Sequence, residues 1–256
     1  MSSFHFFEKG KGQPIVLLHG FCEIGDMWRN FAEELSTEFR VICPDLPGCG
    51  DSPIHSDTIQ LEEVAVLLEE WMEENTIQNP IVIGHSLGGY VTLALLELMG
   101  KKLKAVGLFH STAFGDDDEK KGMRDRTVIF LKKHGVDTFV TSFVPPLFPE
   151  ERREELAKEI NQAIEQAKKS SLKGLIAFTK AMRNRKQRFE DLANFSGSKL
   201  FIAGTLDGAV KIDASRKHKE AVTDYHELEN TGHVGMIERK AETLKIVREF
   251  CERVIQ

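Results

Sequence analysis

Three side chains of this 256-residue chain could bring a hydroxyl, an imidazole and a carboxylate together: Ser86, His233 and Asp207. Ser86 is the centre of Gly84-His85-Ser86-Leu87-Gly88, a G-x-S-x-G run. The apolar residues 80–83 lead straight into it, and a helical pattern starts near Leu87. A serine on a tight strand-to-helix turn stands at the carboxyl edge of a sheet on strained backbone angles. Glycines two before and two after it let neighbouring chain pass without Cβ clashes. The start of the helix turns free N–H groups and its positive dipole end toward the reacting oxygen. A serine hydroxyl is a weak nucleophile and needs a base that is itself oriented by a carboxylate. Both are available downstream. Asp207 follows the apolar run 200–203 through Gly204-Thr205-Leu206, with Asp213 and Asp191 as nearby alternatives for the acid. His233 follows Thr231-Gly232 in a loop after the last strand candidate. This chemistry requires all three groups at one edge of one sheet.

The order of elements supplies that edge. Apolar runs at 14–18, 40–43, 80–83, 103–109 and 199–203, with a weaker one at 225–228, read as strands. Helical spacing is found at 27–36, 59–74, 90–99 and 241–254; within 59–74 the apolar positions are Leu61, Val64, Ala65, Leu67, Leu68, Trp71 and Met72. Strands without in–out alternation, separated by helices, predict a mostly parallel, doubly wound α/β sheet covered on both faces. The alternation stops near Ser111. Residues 112–195 carry no strong strand signal, only charged helix-favouring sequence with a clear helical pattern at 150–169. About 80 residues is too long for a structureless loop. The expected division is therefore a core domain of residues 1–111 and 196–256 interrupted by a helical cap at 112–195.

Composition narrows the function classes. The chain is 41% hydrophobic and 29% charged, with a net charge of −6 and no basic stripe, which argues against a nucleic-acid partner. No apolar stretch approaches the roughly 20 residues of a membrane span, and the first residues, Met1-Ser2-Ser3-Phe4-His5-Phe6-Phe7, do not resemble a secretory leader. Cys22, Cys43, Cys49 and Cys251 form no CxxC or metal-ligand pattern. Free thiols in a reducing, cytoplasmic setting are expected. Nothing in the sequence speaks to oligomeric state.

His19-Gly20-Phe21, the segment 45–52 (Asp-Leu-Pro-Gly-Cys-Gly-Asp-Ser), the Ser86 turn, Gly204-Thr205-Leu206-Asp207 and Gly232-His233 occur in the order found in the α/β-hydrolase family. The chain resembles that family over essentially its whole length. Segment 45–52 is similar to the D-x-x-G-x-G-x-S loop of the capped branch, which holds esterases, lactonases, C–C hydrolases, epoxide hydrolases and dehalogenases. The last two classes use aspartate where this chain has Ser86, and are disfavoured. The resemblance implies an oxyanion hole from the backbone N–H groups of Phe21 and Leu87, and a loop-bracing role for His19. It departs from the family pattern after Asp207 and again after His233, where the proline often found there is missing.

Candidate residues for substrate contact are Phe21, Cys22, Trp28, His110, Phe143 and Met236, with Tyr90 a further option; for Trp28 and Tyr90 core packing is the competing reading. Leu147, Phe148, Phe178 and Met182 are candidate lining from the cap, and Arg124 or Arg126 could meet a substrate carboxylate. No metal and no organic cofactor is implied. The expected reaction is hydrolysis of a small ester, lactone or thioester through an acyl-enzyme. The same three residues would also serve a C–C hydrolase, a small lyase or a cofactor-free perhydrolase, and a ligand receptor on a hydrolase scaffold is the non-catalytic alternative.

Overall fold

The computed structural model describes residues 4–256. Seven strands form one sheet: β1 (Phe6–Lys9), β2 (Pro14–Leu18), β3 (Arg40–Pro44), β4 (Ile81–His85), β5 (Ala105–Phe109), β6 (Ser198–Gly204) and β7 (Asp224–Leu228). Their order is β1-β3-β2-β4-β5-β6-β7. All neighbours pair in parallel except β1, which runs antiparallel to β3 from Phe6 opposite Pro44 to Lys9 opposite Val41. The sheet is thus mostly parallel and helix-covered, as the sequence pattern predicts. The edge strand β1 was not anticipated: four half-exposed residues give no periodicity to read.

Every residue of β4 and β5 is buried. Strands of that kind need a helical layer on each face. Helices α2 (Leu61–Glu74) and α3 (Leu87–Met99) pack together, and α3 lies on β4 and β5. Helix α1 (Arg29–Leu35) packs on β1 and β3 and meets the closing helix α10 (Lys240–Ile255). Two short helices, α8 (Ile212–Arg216) and α9 (Gly235–Glu238), flank the last strand. Trp28, a candidate pocket residue from sequence, is instead fully buried in the core, edge-on to Phe31 and Phe109. Tyr90 is core as well, with the Arg185 guanidinium stacked over its ring.

The segment between β5 and β6 is helical, as expected. It contains α4 (Asp118–Phe143), α5 (Ala157–Ala167), α6 (Leu172–Asn184) and α7 (Phe189–Asn194). The helix read at 150–169 is only partly present. A 3-10 turn over Glu150–Arg152 and irregular chain precede α5. Helix α4 is two helices joined at Gly135, whose φ of 75° breaks the hydrogen-bond ladder. Helix α7 packs on α3, which covers the sheet. Where α6 begins, Ser171 bonds the carbonyl of Gly48, and Gly48 and Gly174 approach so closely that a Cβ on either would strike the other's backbone. Buried Arg188 ties Glu62 of α2 to Glu97 of α3 at the far end.

Core placement of Trp28 carries a measurable consequence. Trp28→Ala should lower unfolding stability by about 3–5 kcal/mol, the range for truncating a buried aromatic, as read from urea denaturation. A loss below about 1 kcal/mol would contradict the packing described here.

Candidate active site

Four loops at the carboxyl edge of the sheet converge. After β4 the chain reverses within one residue: Ser86 adopts φ 47° and ψ −112°, and Leu87 opens α3. The turn fits because a Cβ on Gly84 would collide with Gly88, and one on Gly88 would collide with the Leu18 carbonyl. The Ser86 N–H donates to the Phe109 carbonyl at 2.9 Å, and the Ser111 hydroxyl donates to the Ser86 carbonyl at 2.8 Å. Only the Ser86 side chain remains uncommitted to holding the turn.

Its hydroxyl lies 2.9 Å from Nε2 of His233, and Nδ1 of His233 lies 2.8 Å from Oδ2 of Asp207. The carboxylate fixes the imidazole tautomer, with the proton on Nδ1, so Nε2 is free to accept from the serine. Asp207 is held in turn by its own loop: the N–H groups of Ala209 and Val210 donate to Oδ1 at 2.8 and 2.9 Å. A proline at either position would delete one of these donors. Burial alone would raise the Asp207 pKa. His233 and His110 overcome it through charge and hydrogen bonding, holding the carboxyl well below its usual range. Burial likewise opposes charge on His233, but Asp207 more than offsets it and raises the imidazole above 6.5. Neither Asp213, on α8, nor Asp191, on α7, is among the carboxylates paired with His233.

The loop after β2 closes the site from the other side. Glu23 folds back to accept the Gly20 N–H and pairs with Nδ1 of His85 at 2.9 Å, while Nε2 of His85 donates to the His233 carbonyl at 2.8 Å. Burial pushes Glu23 up, but His85 and the Gly20 amide pull its carboxyl down, so it stays ionised. This partly buried carboxylate escaped the sequence reading, since only its place three residues after Gly20 marks it. His19 braces the loop by donating from Nδ1 to the Gly20 carbonyl and accepting the Leu46 N–H on Nε2. With the Gly20 amide occupied, the Phe21 amide donates to no backbone carbonyl, and the Leu87 amide precedes the first intrahelical bond.

The remaining candidates separate into two groups. Phe21 sits edge-on to Phe143 at 5.6 Å and near Phe139 at 6.1 Å, so the second half of α4 reaches over the loop. Cys22, at φ 62°, lines a small cavity of about 20 Å³ with Glu23, Met27, Leu147, Phe148 and Val234. Burial raises its thiol pKa well above the usual value, which leaves it a poor nucleophile. Met236 is buried in α9. Phe178 and Met182 are buried on α6. Arg124 is taken up by Asp116 at 3.1 Å and does not stand free for a substrate carboxylate. His110 is not pocket lining. Its side chain is wholly buried behind Asp207, to whose Oδ2 its Nδ1 donates at 3.1 Å. Nδ1 of His110, Oδ2 of Asp207 and Nδ1 of His233 lie within 4.8 Å of one another, but separations of 2.8 and 3.1 Å are those of shared protons.

A family model described as alpha/beta hydrolase fold matches residues 13–240. The chain belongs to this family. Among curated proteins the chain is similar to epoxide hydrolase 4 of Mus musculus, 27% identical over 57% of this chain and 40% of that protein. Another is the pimeloyl-[acyl-carrier protein] methyl ester esterase of Vibrio cholerae, 43% identical over 32% of this chain and 30% of that protein. These alignments span less than two thirds of the relatives' own length. Solved structures align more fully. A thermophilic esterase from Thermogutta terrifontis superposes with a TM-score of 0.92 at 24% identity, over 98% of this chain and 93% of that one. The enol-lactonase from Burkholderia xenovorans LB400 does so at 0.89 and 20%, over 97% and 96%. At such identities the structures share the fold of this α/β hydrolase. Among its described residues no helix is long and apolar enough to cross a membrane.

Buried imidazoles give this hydrolase a defined acid response. Burial lowers the pKa of His19 and His218, and that of His110 to about 4. Released by unfolding, each titrates near 6.5, so between about 4 and 6.5 the unfolded chain binds protons that the folded chain does not. Stability therefore rises with pH across this window. His233 acts oppositely: its raised pKa contributes stability that is fully present below 6.5 and is lost only as pH climbs through the folded value. The unfolding free energy in urea should fall from pH 6.5 to about pH 5, by up to about 1.4 kcal/mol per pH unit for each depressed histidine. A midpoint that does not move over this range would refute the assignment of neutral buried histidines.

Proposed function

We propose that this α/β hydrolase cleaves a small ester, lactone or thioester through an acyl-enzyme formed on Ser86. The observation that carries the reading is the continuous relay of 2.9 and 2.8 Å from Ser86 Oγ through His233 to Asp207, on a serine whose backbone conformation is held by its neighbours. His233 takes the proton from Ser86 as the hydroxyl attacks the carbonyl carbon. The oxyanion that forms lies toward the amides of Phe21 and Leu87, aided by the amino-terminal end of α3. His233 then returns its proton to the leaving group. In the second half, water donates a proton to His233 and attacks the acyl carbon; the C–O bond to Ser86 breaks, His233 returns the proton to Ser86 Oγ, and the acid is released. Asp207 keeps the imidazole in one tautomer and stabilises its charged form.

Residues 112–195 serve as a cap in this reading. Phe139 and Phe143 of α4 stack on each other at 5.1 Å and meet Phe21. They provide an aromatic wall beside the oxyanion donors, suited to an apolar acyl or leaving group. A serine at the elbow supports acyl transfer, and the esterase and lactonase named among the solved neighbours fit it.

Hydrolysis of p-nitrophenyl esters of graded acyl length should show turnover by wild type. Ser86→Ala should lower kcat by roughly four to six decades. Since His233 must be neutral to act as base, kcat/KM should decline on the acid side with an apparent pKa above 6.5. A Ser86→Ala variant that keeps a tenth of wild-type turnover would sink the assignment.

A further inference from the structure

The Asp207 carboxylate is bonded by two histidines, and the acyl-transfer mechanism uses only one of them. His110 follows β5, the strand between those that deliver Ser86 and Asp207. Its backbone adopts φ 48°, a costly conformation for a residue with a side chain. Its N–H donates to the Ile202 carbonyl of β6 at 2.8 Å, which keeps it there. The ring enters a slot between two glycines. A Cβ at Gly204 would come within 2.9 Å of the ring carbon Cε1, and a Cβ at Gly235 would collide with Nε2. Both polar atoms of the ring are used: Nδ1–H donates to Asp207 Oδ2 at 3.1 Å, and Nε2 accepts the Gly235 N–H at 3.3 Å. Gly235 lies two residues after His233. One imidazole thus touches the acid at one end and the backbone beyond the base at the other.

We propose that His110 is a positioning residue for the Asp207–His233 pair: it shares Oδ2 of Asp207 with His233, fixing the carboxylate and drawing off part of its negative charge, while Gly235 anchors the far side of its ring. The proposal rests on the reading that Ser86, His233 and Asp207 perform acyl transfer.

Its chemistry follows from the donor count. Four N–H groups converge on Asp207: the amides of Ala209 and Val210 on Oδ1, and the two imidazoles on Oδ2. A lone buried carboxylate would exert its whole charge on His233 and make the imidazole a reluctant proton donor to the leaving group. A second donor on the same oxygen weakens that pull. His110 suits the task because burial keeps it neutral, with a pKa of about 4 against an ordinary 6.5. Its tautomer is set by the Gly235 amide, so the donor is present wherever the enzyme works. The other ionisable groups facing this pair are His85 on β4, with its ring 5.0 Å from that of His233, Glu23 beyond it, and Glu238 of α9, which accepts the Gly232 N–H and meets Arg152. His110 alone among these bonds the acid.

The test compares His110→Leu, which removes both polar contacts, with His110→Asn, whose amide nitrogen stands near the position of Nδ1 and keeps the donor. His110→Ala serves if leucine overfills the slot. The first readout is the pH profile of kcat/KM on the p-nitrophenyl ester that wild type turns over best. The second is the titration of the His233 ring nitrogens by NMR, which needs no turnover. Losing the donor should raise the His233 pKa by about half a unit to one unit in both. It should also lower kcat about tenfold with KM nearly unchanged, as expected for a loss felt in the transition state. His110→Asn should restore most of each. An unshifted His233 titration in the Leu or Ala variant would overturn the proposal. So would an Asn variant shifted as far as Leu, which would assign the ring's shape rather than its donor. Failure of the underlying reading has a separate sign, activity that survives Ser86→Ala.

Discussion

Ser86 stands at φ 47° and ψ −112°, a conformation that costs of order 1–3 kcal/mol for a residue with a side chain. Most of the site exists to make that conformation the only one available. Gly84 and Gly88 remove the side chains that would force the turn open, and the crossing of α3 over the end of β2 depends on the same absence. The backbone polar groups of Ser86 are committed to β5 on one side and Ser111 on the other. The turn therefore cannot relax without breaking sheet contacts worth more than the strain it stores. This is how a small rotamer choice at one hydroxyl is tied to the burial of an entire parallel sheet, whose central strands are inaccessible to solvent.

A second constraint concerns charge. Among the described residues no arginine or lysine pairs with the buried Asp207, and a buried carboxylate needs compensation. Backbone amides and imidazoles provide it, and neither brings a permanent positive charge that would cancel the field His233 requires. On the opposite loop the partly buried Glu23 accepts the Gly20 amide and pairs with His85. Two carboxylates thus flank one imidazole, Asp207 directly and Glu23 by way of His85. Each anion is built into a tight turn of its own loop, so loop shape and charge placement are one property of the sequence.

Much of this was legible before any coordinates. The Ser86 turn could be read because its motif sits between a strand pattern and a helix pattern, and the sheet-edge positions of Asp207 and His233 followed from the runs that precede them. Legibility ended where direction mattered. His110 was named as a candidate for substrate contact, but nothing in the sequence reports whether a ring after β5 turns toward substrate space or back toward Asp207. Its positive φ decides this, and a histidine does not announce positive φ as a glycine does. Trp28 had two readings from sequence, pocket and core, and the 3-10 turn at Gly25–Trp28 decides between them by burying the indole in the core. The absence of proline after Asp207 and His233, a departure at the level of family pattern, has a physical account in the amides of Ala209, Val210 and Gly235, each of which is a donor here.

The backbone N–H of His233 donates to the carbonyl of Leu147 at 2.8 Å, and a Cβ on Gly232 would come within 2.6 Å of that same carbonyl. The strap after α4 is therefore fastened to the residue proposed as the base. For recombination, natural or designed, the helical insertion is consequently not a cassette. Exchanging all of it for a relative's would carry away the acceptor that sets the histidine backbone, while exchanging only the exposed first half of α4, on the far side of the Gly135 break, would leave that fastening intact. Diversification of substrate range in this scaffold thus has a seam. It lies inside the helical insertion, at a glycine, rather than at the insertion's junctions with the sheet.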